Sequence, residues 1–352
     1  MELNAYLQQA IENESSDLHI CAGLPAVIRR HGSLYYLDDT VMTKDDCMTL
    51  AKQCLSKDEI QELIDVGEID FAYALSGVGR FRVNIFRQRN SYALAFRVIN
   101  TTIPDIKALG LPDVLYSLAE KQRGLVLITG PTGSGKSTTL ASMIDYINNT
   151  RRLRIITVED PIEYLHKHNR SMVNQREIGA DTKSYSNALR AVLREDPDVI
   201  LIGEMRDQET IAVALTAAET GHLVFSTLHT LGAAKTIDRI IDVFPPHQQS
   251  QVRSQLSTVL EGIVSQQLIK KLDNTGRVVA TEVMTITPAI ANMIRESRVA
   301  QINSTIQTGS EFGMHSMDSC IASLFKQGLI SYENAYQYAI DPNGLKKLLV
   351  VV

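Results

Sequence analysis

The sequence predicts an α/β protein built on a parallel β-sheet wrapped by helices, with a smaller α+β domain in front of it. After residue 123, short and almost entirely apolar runs alternate with amphipathic helical patterns. Strands that are buried on both faces of a parallel sheet have this composition. The predicted strands of this sheet are residues 125–129, 155–158, 199–202 and 223–225.

Chain length and breaker residues predict two domains. The 352 residues are more than twice the usual domain size of roughly 150 residues. A content of 44% hydrophobic and 21% charged residues is typical of globular proteins. Pro104 and Gly110 interrupt regular patterns and indicate a boundary. The predicted parts are an N-terminal domain over 1–99, a linker over 100–113 and a C-terminal domain over 114–352.

The N-terminal domain shows both helical and strand patterns. Helices are predicted at 4–12, 44–55 and 57–64, and strands at 17–20, 27–30, 34–37, 80–86 and 92–99. Because strand side chains alternate, Phe81, Val83 and Ile85 share one face of their strand. Arg80 and Arg82 then share the other, polar face.

The helices of the C-terminal domain have recognisable ends. An apolar stripe predicts a helix over 182–194. Another helix is predicted between Asp207, a good N-cap, and Gly221, a good terminator. Further on we predict a long helix over 247–272 and three short helices, so that the region over about 247–352 is mostly helical.

Composition disfavours several classes of protein. No apolar run reaches the roughly 18 residues of a membrane-spanning helix, and the start of the chain, with Glu2 and no basic residues, does not resemble a signal peptide. We therefore expect a cytoplasmic protein. No two cysteines have Cys-x-x-Cys spacing. A net charge of -5 gives no general attraction to nucleic acid, so no stable nucleic-acid partner is expected.

The strongest motif follows the first strand of the predicted sheet. It fits G-x-x-x-x-G-K-[ST] and lies between an apolar strand and a helix, as this motif requires. Its glycines let backbone N–H groups point at phosphate oxygens, and the helix adds its positive dipole end. Lys136 is expected to reach the β- and γ-phosphates of ATP, and the Ser137 hydroxyl to ligate Mg²⁺. The predicted nucleotide-binding residues are Gly130, Pro131, Thr132, Gly133, Ser134, Gly135, Lys136, Ser137 and Thr138.

Acidic residues follow two other strands of the predicted sheet. The run over 155–158 continues to Glu159 and Glu163, and the run over 199–202 leads to Glu204. The carboxyl ends of parallel strands line the ligand crevice, so we expect these carboxylates to face the phosphates. Such groups can hold the Mg²⁺ shell or orient the attacking water. Position favours Glu204 as the Walker B residue over a surface carboxylate, and leaves the roles of Glu159 and Glu163 open.

Two histidines bracket the strand at 223–225. His229, at its carboxyl end, is a candidate for contact with the γ-phosphate, and His222, at its amino end, is a second candidate. The alternative interpretation is a hydrogen-bonded buried histidine without a catalytic role.

Together these segments resemble the Walker A, Asp-box, Walker B and His-box motifs of the secretion ATPases. The resembling segments are 130–138, 158–163, 193–207 and 216–230. Within that superfamily the chain is most similar to the type IV pilus retraction ATPases of twitching motility, and 79–84 and 235–239 share the similarity. The resemblance covers essentially the whole chain.

The resemblance implies a homohexameric motor that hydrolyses ATP, with Mg²⁺, to power pilus retraction. Each subunit would have an N-terminal PAS-like domain and a C-terminal RecA-like P-loop ATPase domain, with ATP bound between them and the site completed by a neighbouring subunit. The implied partner is an inner-membrane pilus platform protein. The motor would dock peripherally at the cytoplasmic face of the inner or plasma membrane, without inserting.

The resemblance also implies roles for individual residues. It makes Glu163 the general base, Glu204 the Walker B residue and Glu159 a second acidic contact, the last two reaching Mg²⁺ through water. The implied charge-sensing residues are Arg80, Arg82 and Arg97. For these arginines, a solvated strand face is the alternative. The segment 289–296 matches the family's AIRNLIRE segment but has Ala291 where the family usually has arginine.

Three other functions remain open. A pilus-extension or type II secretion ATPase usually has a longer N-terminal region and a tetracysteine metal module, and neither is visible in this sequence. A RecA-like nucleic-acid translocase would need a basic channel, which the acidic net charge disfavours. A scaffold that binds ATP but scarcely hydrolyses it is disfavoured by the acids Glu159, Glu163 and Glu204.

Overall fold

The structure is a computed structural model that describes residues 2–30, 32–76, 78–99, 102–273 and 275–350. The chain divides into two compact units. The first comprises Met1–Thr102 with Glu163–Leu165, and the second comprises Ile103–Ile162 with His166–Val352. The division falls within the segment predicted as a linker, over 100–113, whose Asn100 and Thr101 lie outside the described residues.

The N-terminal unit is a six-stranded antiparallel sheet with three helices. The helices are α1 (Leu3–Glu12), α2 (Lys44–Cys54) and α3 (Lys57–Val66). The strands are β1 (Asp17–Cys21), β2 (Val27–Arg30), β3 (Ser33–Tyr36), β4 (Glu68–Leu75), β5 (Gly79–Gln88) and β6 (Ser91–Ile99). Their order in the sheet is β3-β2-β1-β6-β5-β4. The predicted helices and strands are all present, and β4 is an additional strand.

Alternation along β5 separates the core from the polar face, as predicted. Phe81, Val83 and Ile85 are completely buried, and Phe81 packs edge-to-face on Phe96 with 6.4 Å between ring centroids. The additional strand β4 pairs with β5 along its whole length. The larger apolar residues of β4 alternate along the strand and contact the N-terminal core, a period-two pattern that the sequence prediction missed: Ile69, Phe71, Tyr73 and Leu75.

The C-terminal unit is built on a seven-stranded sheet of order β13-β12-β7-β11-β10-β8-β9. The strands are β7 (Gly124–Thr129), β8 (Arg154–Glu159), β9 (Met172–Glu177), β10 (Val199–Ile202), β11 (Leu223–Leu228), β12 (Leu260–Lys270) and β13 (Arg277–Thr285). The helices are α4 (Val114–Ala119), α5 (Lys136–Thr150), α6 (Tyr185–Val192), α7 (Gln208–Glu219), α8 (Ala233–Asp242), α9 (Pro246–Val259), α10 (Pro288–Arg295), α11 (Ile302–Thr308), α12 (Met317–Lys326), α13 (Tyr332–Tyr338) and α14 (Pro342–Val350). All neighbouring strands are parallel except β12 and β13.

Two hydrophobic cores, one on each face of this sheet, explain its apolar strands. Along β7, Leu125 and Leu127 enter a core shared with α6, α7, α8 and α9. Val126 and Ile128 enter a second core shared with α4 and α5. Successive residues of each central strand are therefore buried on opposite faces. The predicted parallel sheet wrapped by helices is confirmed.

The predicted helix over 247–272 is wrong. The first part of this segment forms α9, but the chain then continues as β12, which lies between β7 and β13. Leu260, Ile263, Val264 and Leu268 are spaced i, i+3, i+4 and i+8, the pattern of an amphipathic helix. Pairing with a strand on each side overrides that local pattern. The region over about 247–352 is thus mixed, and the described residues after β13 form five α-helices where three were expected.

Helices α12 and α14 pack against the antiparallel strands β12 and β13. Ile269 of β12, Ile321 of α12 and Leu345 of α14 are completely buried in one cluster. Within the described residues, no helix is both long and apolar enough to cross a membrane.

The loop before β9 carries a histidine whose charge should couple stability to pH. Burial lowers the pKa of His166 from 6.5 to about 4, and its Nδ1 has no hydrogen-bond partner among the described residues. The unfolded chain therefore takes up this proton first as pH falls. Stability should be lost progressively between pH 6.5 and about 4.

We expect His166→Asn to flatten the pH dependence of the free energy of unfolding in this range, measured by denaturant titration at several pH values. The exposed His247 offers a control, because His247→Asn should keep the wild-type slope. Equal slopes for His166→Asn and the wild-type protein would contradict the prediction.

Candidate nucleotide-binding site

The strand register brings the predicted site residues of the C-terminal unit to one edge of the sheet. Ile202 pairs with Val158 on one side and Ser226 on the other, and Leu228 pairs with Thr129. The carboxyl ends of β7, β8, β10 and β11 therefore lie level with one another. This edge is where open α/β sheets bind their ligands.

The loop between β7 and α5 is shaped by three glycines. Gly130, Gly133 and Gly135 have φ of 139°, 77° and 89°, which side chains strongly disfavour. At Gly130 there is also no room for a side chain, because an added Cβ would lie 2.3 Å from the carbonyl oxygen of Gln266. The loop is thus pressed against β12 at its start and joins the first turn of α5 at its end.

Two polar side chains of the loop fit a phosphate ligand. Lys136 is only 8% exposed, and its Nζ donates to the carbonyl oxygens of Gly130 at 3.0 Å and Pro131 at 3.1 Å. The hydroxyl of Ser134 is buried without a hydrogen-bond partner among the described residues. A buried hydroxyl without a partner is costly unless a ligand satisfies it. The glycine loop, the cation and this hydroxyl together suit an oxyanion.

The surroundings of the loop also fit Mg²⁺. Ser137 lies in the first turn of α5, partly buried. Glu159 is the last residue of β8, and Glu204 follows β10 at the same edge of the sheet. No group of three or more His, Cys, Asp or Glu in the described part of the chain could hold a metal alone. Mg²⁺ is commonly held by few protein oxygens together with substrate phosphates and water.

A chain of hydrogen bonds links Glu204 to the loop through His229. Glu204 Oε2 lies 3.0 Å from His229 Nε2, and His229 Nδ1 lies 3.4 Å from the Thr132 hydroxyl. The other carboxylate oxygen of Glu204 forms an ion pair with Arg206. Glu204 and His229 therefore lie next to the loop in this unit, as expected from the sequence.

Burial and nearby charges determine the protonation state of His229. Burial lowers the pKa of His229, and the positive charges of Lys136 and Arg206 lower it further. The ring is therefore neutral near pH 7. A carboxylate only accepts hydrogen bonds, so we assign the proton to Nε2, facing Glu204, and leave Nδ1 to accept from Thr132.

Glu159 and Glu163 have different surroundings. Glu159 Oε1 accepts from the Thr157 hydroxyl at 2.6 Å and from Gln175 Nε2 at 3.2 Å. Glu163 is exposed and belongs to a three-residue segment that groups with the N-terminal unit. Its assignment as the general base stays a prediction.

His222 is not brought to the loop within this unit, contrary to its grouping with His229. It lies at the amino end of β11, where its Nδ1 contacts the carbonyl oxygen of Ala217 at 2.9 Å and the Thr220 hydroxyl at 3.1 Å. The six residues of β11 separate the two histidines by roughly 20 Å, at about 3.3 Å per residue. The bonds to Ala217 and Thr220 close the turn after α7, which is a structural role.

The three predicted charge-sensing arginines belong to the N-terminal unit. Arg82 and Arg97 are direct cross-strand partners, and Arg80 lies on the same face of β5 as Arg82. Arg97 Nε donates to Asp17 Oδ1 at 3.0 Å. Like charges directly opposite each other destabilise a sheet, and the Asp17 carboxylate offsets part of that repulsion. The charge-sensing role of the three arginines stays a prediction.

The sequence did not reveal the polar residues of β12 as part of the site. The Ser265 hydroxyl contacts the Thr129 hydroxyl at the start of the loop and accepts from the Gly232 N–H at 2.8 Å. Gln266 Nε2 donates to the Thr139 hydroxyl at 2.9 Å. The available signal was the polar run from Ser265 to Gln267 inside an otherwise apolar segment. The helical spacing of the neighbouring apolar residues obscured it.

The fold and the geometry of this edge define a P-loop ATPase. The family described as Type II/IV secretion system protein matches residues 1–312. The type IV pilus retraction ATPase PilT of Pseudomonas aeruginosa is 48% identical over 344 residues, which cover 98% of this chain and 100% of that protein. A twitching motility protein of Neisseria gonorrhoeae is 48% identical over 335 residues, which cover 95% and 89% of the two chains.

Among solved structures, the crystal structure of the pilus retraction motor PilT with bound ADP matches with a TM-score of 0.93 and 49% identity over 99% of both chains. The chain belongs to the type II/IV secretion system protein family. The predicted class, an α/β ATPase domain preceded by a smaller domain, is confirmed by these matches.

The glycines of the loop can be tested against each other. Gly133→Ala meets no atom within 4 Å and should cost only the left-handed backbone strain of about 1–2 kcal/mol. Gly130→Ala adds the clash with the Gln266 carbonyl, so we expect a total of about 2–5 kcal/mol and loss of nucleotide binding. Denaturant unfolding and calorimetry with magnesium-ATP measure both effects. Equal stability of the two variants would show that the close approach to β12 is unimportant.

Proposed function

We propose that this chain is the subunit of a homohexameric motor that hydrolyses ATP to power retraction of a type IV pilus. The observation that carries the proposal is the match to the retraction ATPase PilT over nearly the full length of both chains. The match includes the N-terminal unit, so the similarity is not limited to the ATP-binding core that many ATPases share. The nucleotide loop and the Glu204–His229 pair retain a geometry suited to the reaction.

In the proposed reaction, backbone N–H groups of the loop and Lys136 bind the phosphates. Ser137 and, through water, Glu204 and Glu159 would hold Mg²⁺, which would supply positive charge to the phosphate oxygens. Glu163 acts as the general base and orients the attacking water.

Two further sets of side chains respond to the γ-phosphate in the proposed reaction. The first set is Arg80, Arg82 and Arg97 of the N-terminal unit, which stabilise the charge that develops on the transferred phosphoryl group. The Glu204–His229–Thr132 chain provides a route by which a change at the loop reaches the Walker B carboxylate.

Motor action requires that nucleotide states favour different conformations. A ligand shifts a conformational equilibrium only by its difference in affinity for the two states. The γ-phosphate is the group that distinguishes ATP from ADP, and Lys136 is the buried cation placed to respond to it. We propose that cycles of binding and hydrolysis drive a platform protein in the inner membrane, with the hexamer docked peripherally at its cytoplasmic face.

Substitutions in the loop and at the proposed base should separate binding from chemistry. Lys136→Ala should abolish ATP binding, because it removes the cation of the phosphate site. Glu163→Gln should keep ATP affinity within about threefold, while hydrolysis falls by about 10²–10⁴. Calorimetry gives the affinity and phosphate release gives the rate. Wild-type turnover in Glu163→Gln would exclude it as the base and make Glu159 the next candidate.

The direction of the motor is tested in cells. We expect a strain lacking this chain to carry surface pili that no longer retract, measured by electron microscopy and twitching assays, and complementation with wild type but not with Lys136→Ala should restore movement. Cells without surface pili would instead support an extension ATPase.

A further inference from the structure

Side chains of β9 hold both ends of the segment that carries Glu163. The backbone N–H of Ile162 donates to Glu177 Oε2 at 3.1 Å, and that of His166 donates to Gln175 Oε1 at 2.8 Å. Ile162 and Glu177 are 2% and 6% exposed, so water cannot easily replace the first of these bonds. Between the two anchored residues lie Glu163 and the two residues that follow it.

The two anchoring side chains face the acidic residue of the neighbouring strand. Because side chains alternate along a strand, Gln175 and Glu177 lie on one face of β9. The parallel register places Thr157 opposite Gln175 and Glu159 opposite Glu177. The anchors of the loop and the carboxylate at the end of β8 therefore share one surface.

Gln175 joins the loop to that carboxylate directly. While its Oε1 accepts from the His166 backbone, its Nε2 donates to Glu159 Oε1 at 3.2 Å. The same carboxylate oxygen accepts from Thr157 at 2.6 Å. One amide thus fixes the distance between the end of the loop and Glu159. Glutamate at position 175 would keep an oxygen that accepts from the His166 N–H but would lose the N–H group that donates to Glu159.

Glu177 is itself supported by the turn that follows β9. Its N–H donates to Asp181 Oδ2 at 2.8 Å, and its carbonyl oxygen accepts from the N–H groups of Asp181 and Thr182. The residue that anchors Ile162 is therefore held by its own backbone as well as by the sheet.

We propose that Gln175 and Glu177 are positioning residues for ATP hydrolysis, which set the placement of the Glu163 loop relative to Glu159. The inference rests on the proposed role of Glu163 as the base. A displacement of about 1 Å in a reacting group can lower the rate on the order of 10²-fold. Neither residue belongs to the phosphate loop, so ATP affinity should be unaffected.

The test uses the full-length protein with four variants, measured for kcat, for KM and for ATP affinity by calorimetry. Glu177→Ala removes the acceptor for Ile162, and Glu177→Gln retains a side-chain oxygen in its place. Gln175→Glu retains the acceptor for His166, removes the donor to Glu159 and places a second carboxylate beside it, so the contact between the two side chains is lost. Met172→Ala, at the exposed start of β9, is the matched control.

We expect kcat to fall about 10-fold to 10²-fold in Glu177→Ala and Gln175→Glu, with ATP affinity within about twofold of wild type. Glu177→Gln should recover most of the loss, and Met172→Ala should behave as wild type. Thermal unfolding of each variant identifies any that fails to fold. If Glu177→Ala fails to fold, Gln175→Glu decides alone.

Unchanged kcat in folded Glu177→Ala and Gln175→Glu would overturn the inference, as would a loss of ATP affinity equal to the loss of kcat. Measuring Glu163→Gln alongside separates this failure from failure of the proposed function. If hydrolysis collapses in Glu163→Gln but not in the β9 variants, only the positioning role is wrong. If Glu163→Gln turns over at the wild-type rate, the role of Glu163 fails and the inference fails with it.

Discussion

The close contact between Gly130 and strand β12 is the constraint on which the nucleotide site depends. The loop can turn back over the sheet only because residue 130 has no side chain to meet the Gln266 carbonyl oxygen. The neighbouring Ser265 holds both Thr129 and the N–H of Gly232, which begins the segment leading into α8. One strand thus positions the phosphate loop and the chain just after His229.

The site also depends on the buried positive charge of Lys136. Buried Lys136 donates to two carbonyl oxygens of its own loop, so an incoming phosphate competes with those bonds rather than with bulk water. The same charge, with burial and Arg206, lowers the pKa of His229 and keeps the ring neutral. A neutral ring can donate to Glu204 and accept from Thr132 at once, whereas a protonated ring could only donate. In the proposed site, the cation placed to bind phosphate therefore also preserves the hydrogen-bonded link between Glu204 and the loop.

The site residues whose position the sequence indicated are those whose placement depends on a short stretch of chain. The loop up to Ser137 and the acid Glu204 follow from a motif and from strand ends, and the structure places both at one edge of the sheet. The residues that were missed act across the sheet. Gln175 supports a loop about ten residues earlier in the chain, and Gln266 supports Thr139 from 127 residues away.

The sequence by itself determined the α/β class, the nucleotide loop and the apolar strands, because backbone sterics, side-chain alternation and burial leave direct signatures in neighbouring residues. Only the tertiary structure decided that 260–270 is an inner strand of the sheet rather than a helix. It also brought β9 beside the end of β8. These outcomes depend on which strands pair across long separations, and pairing energy between distant segments can exceed the local preference of either one.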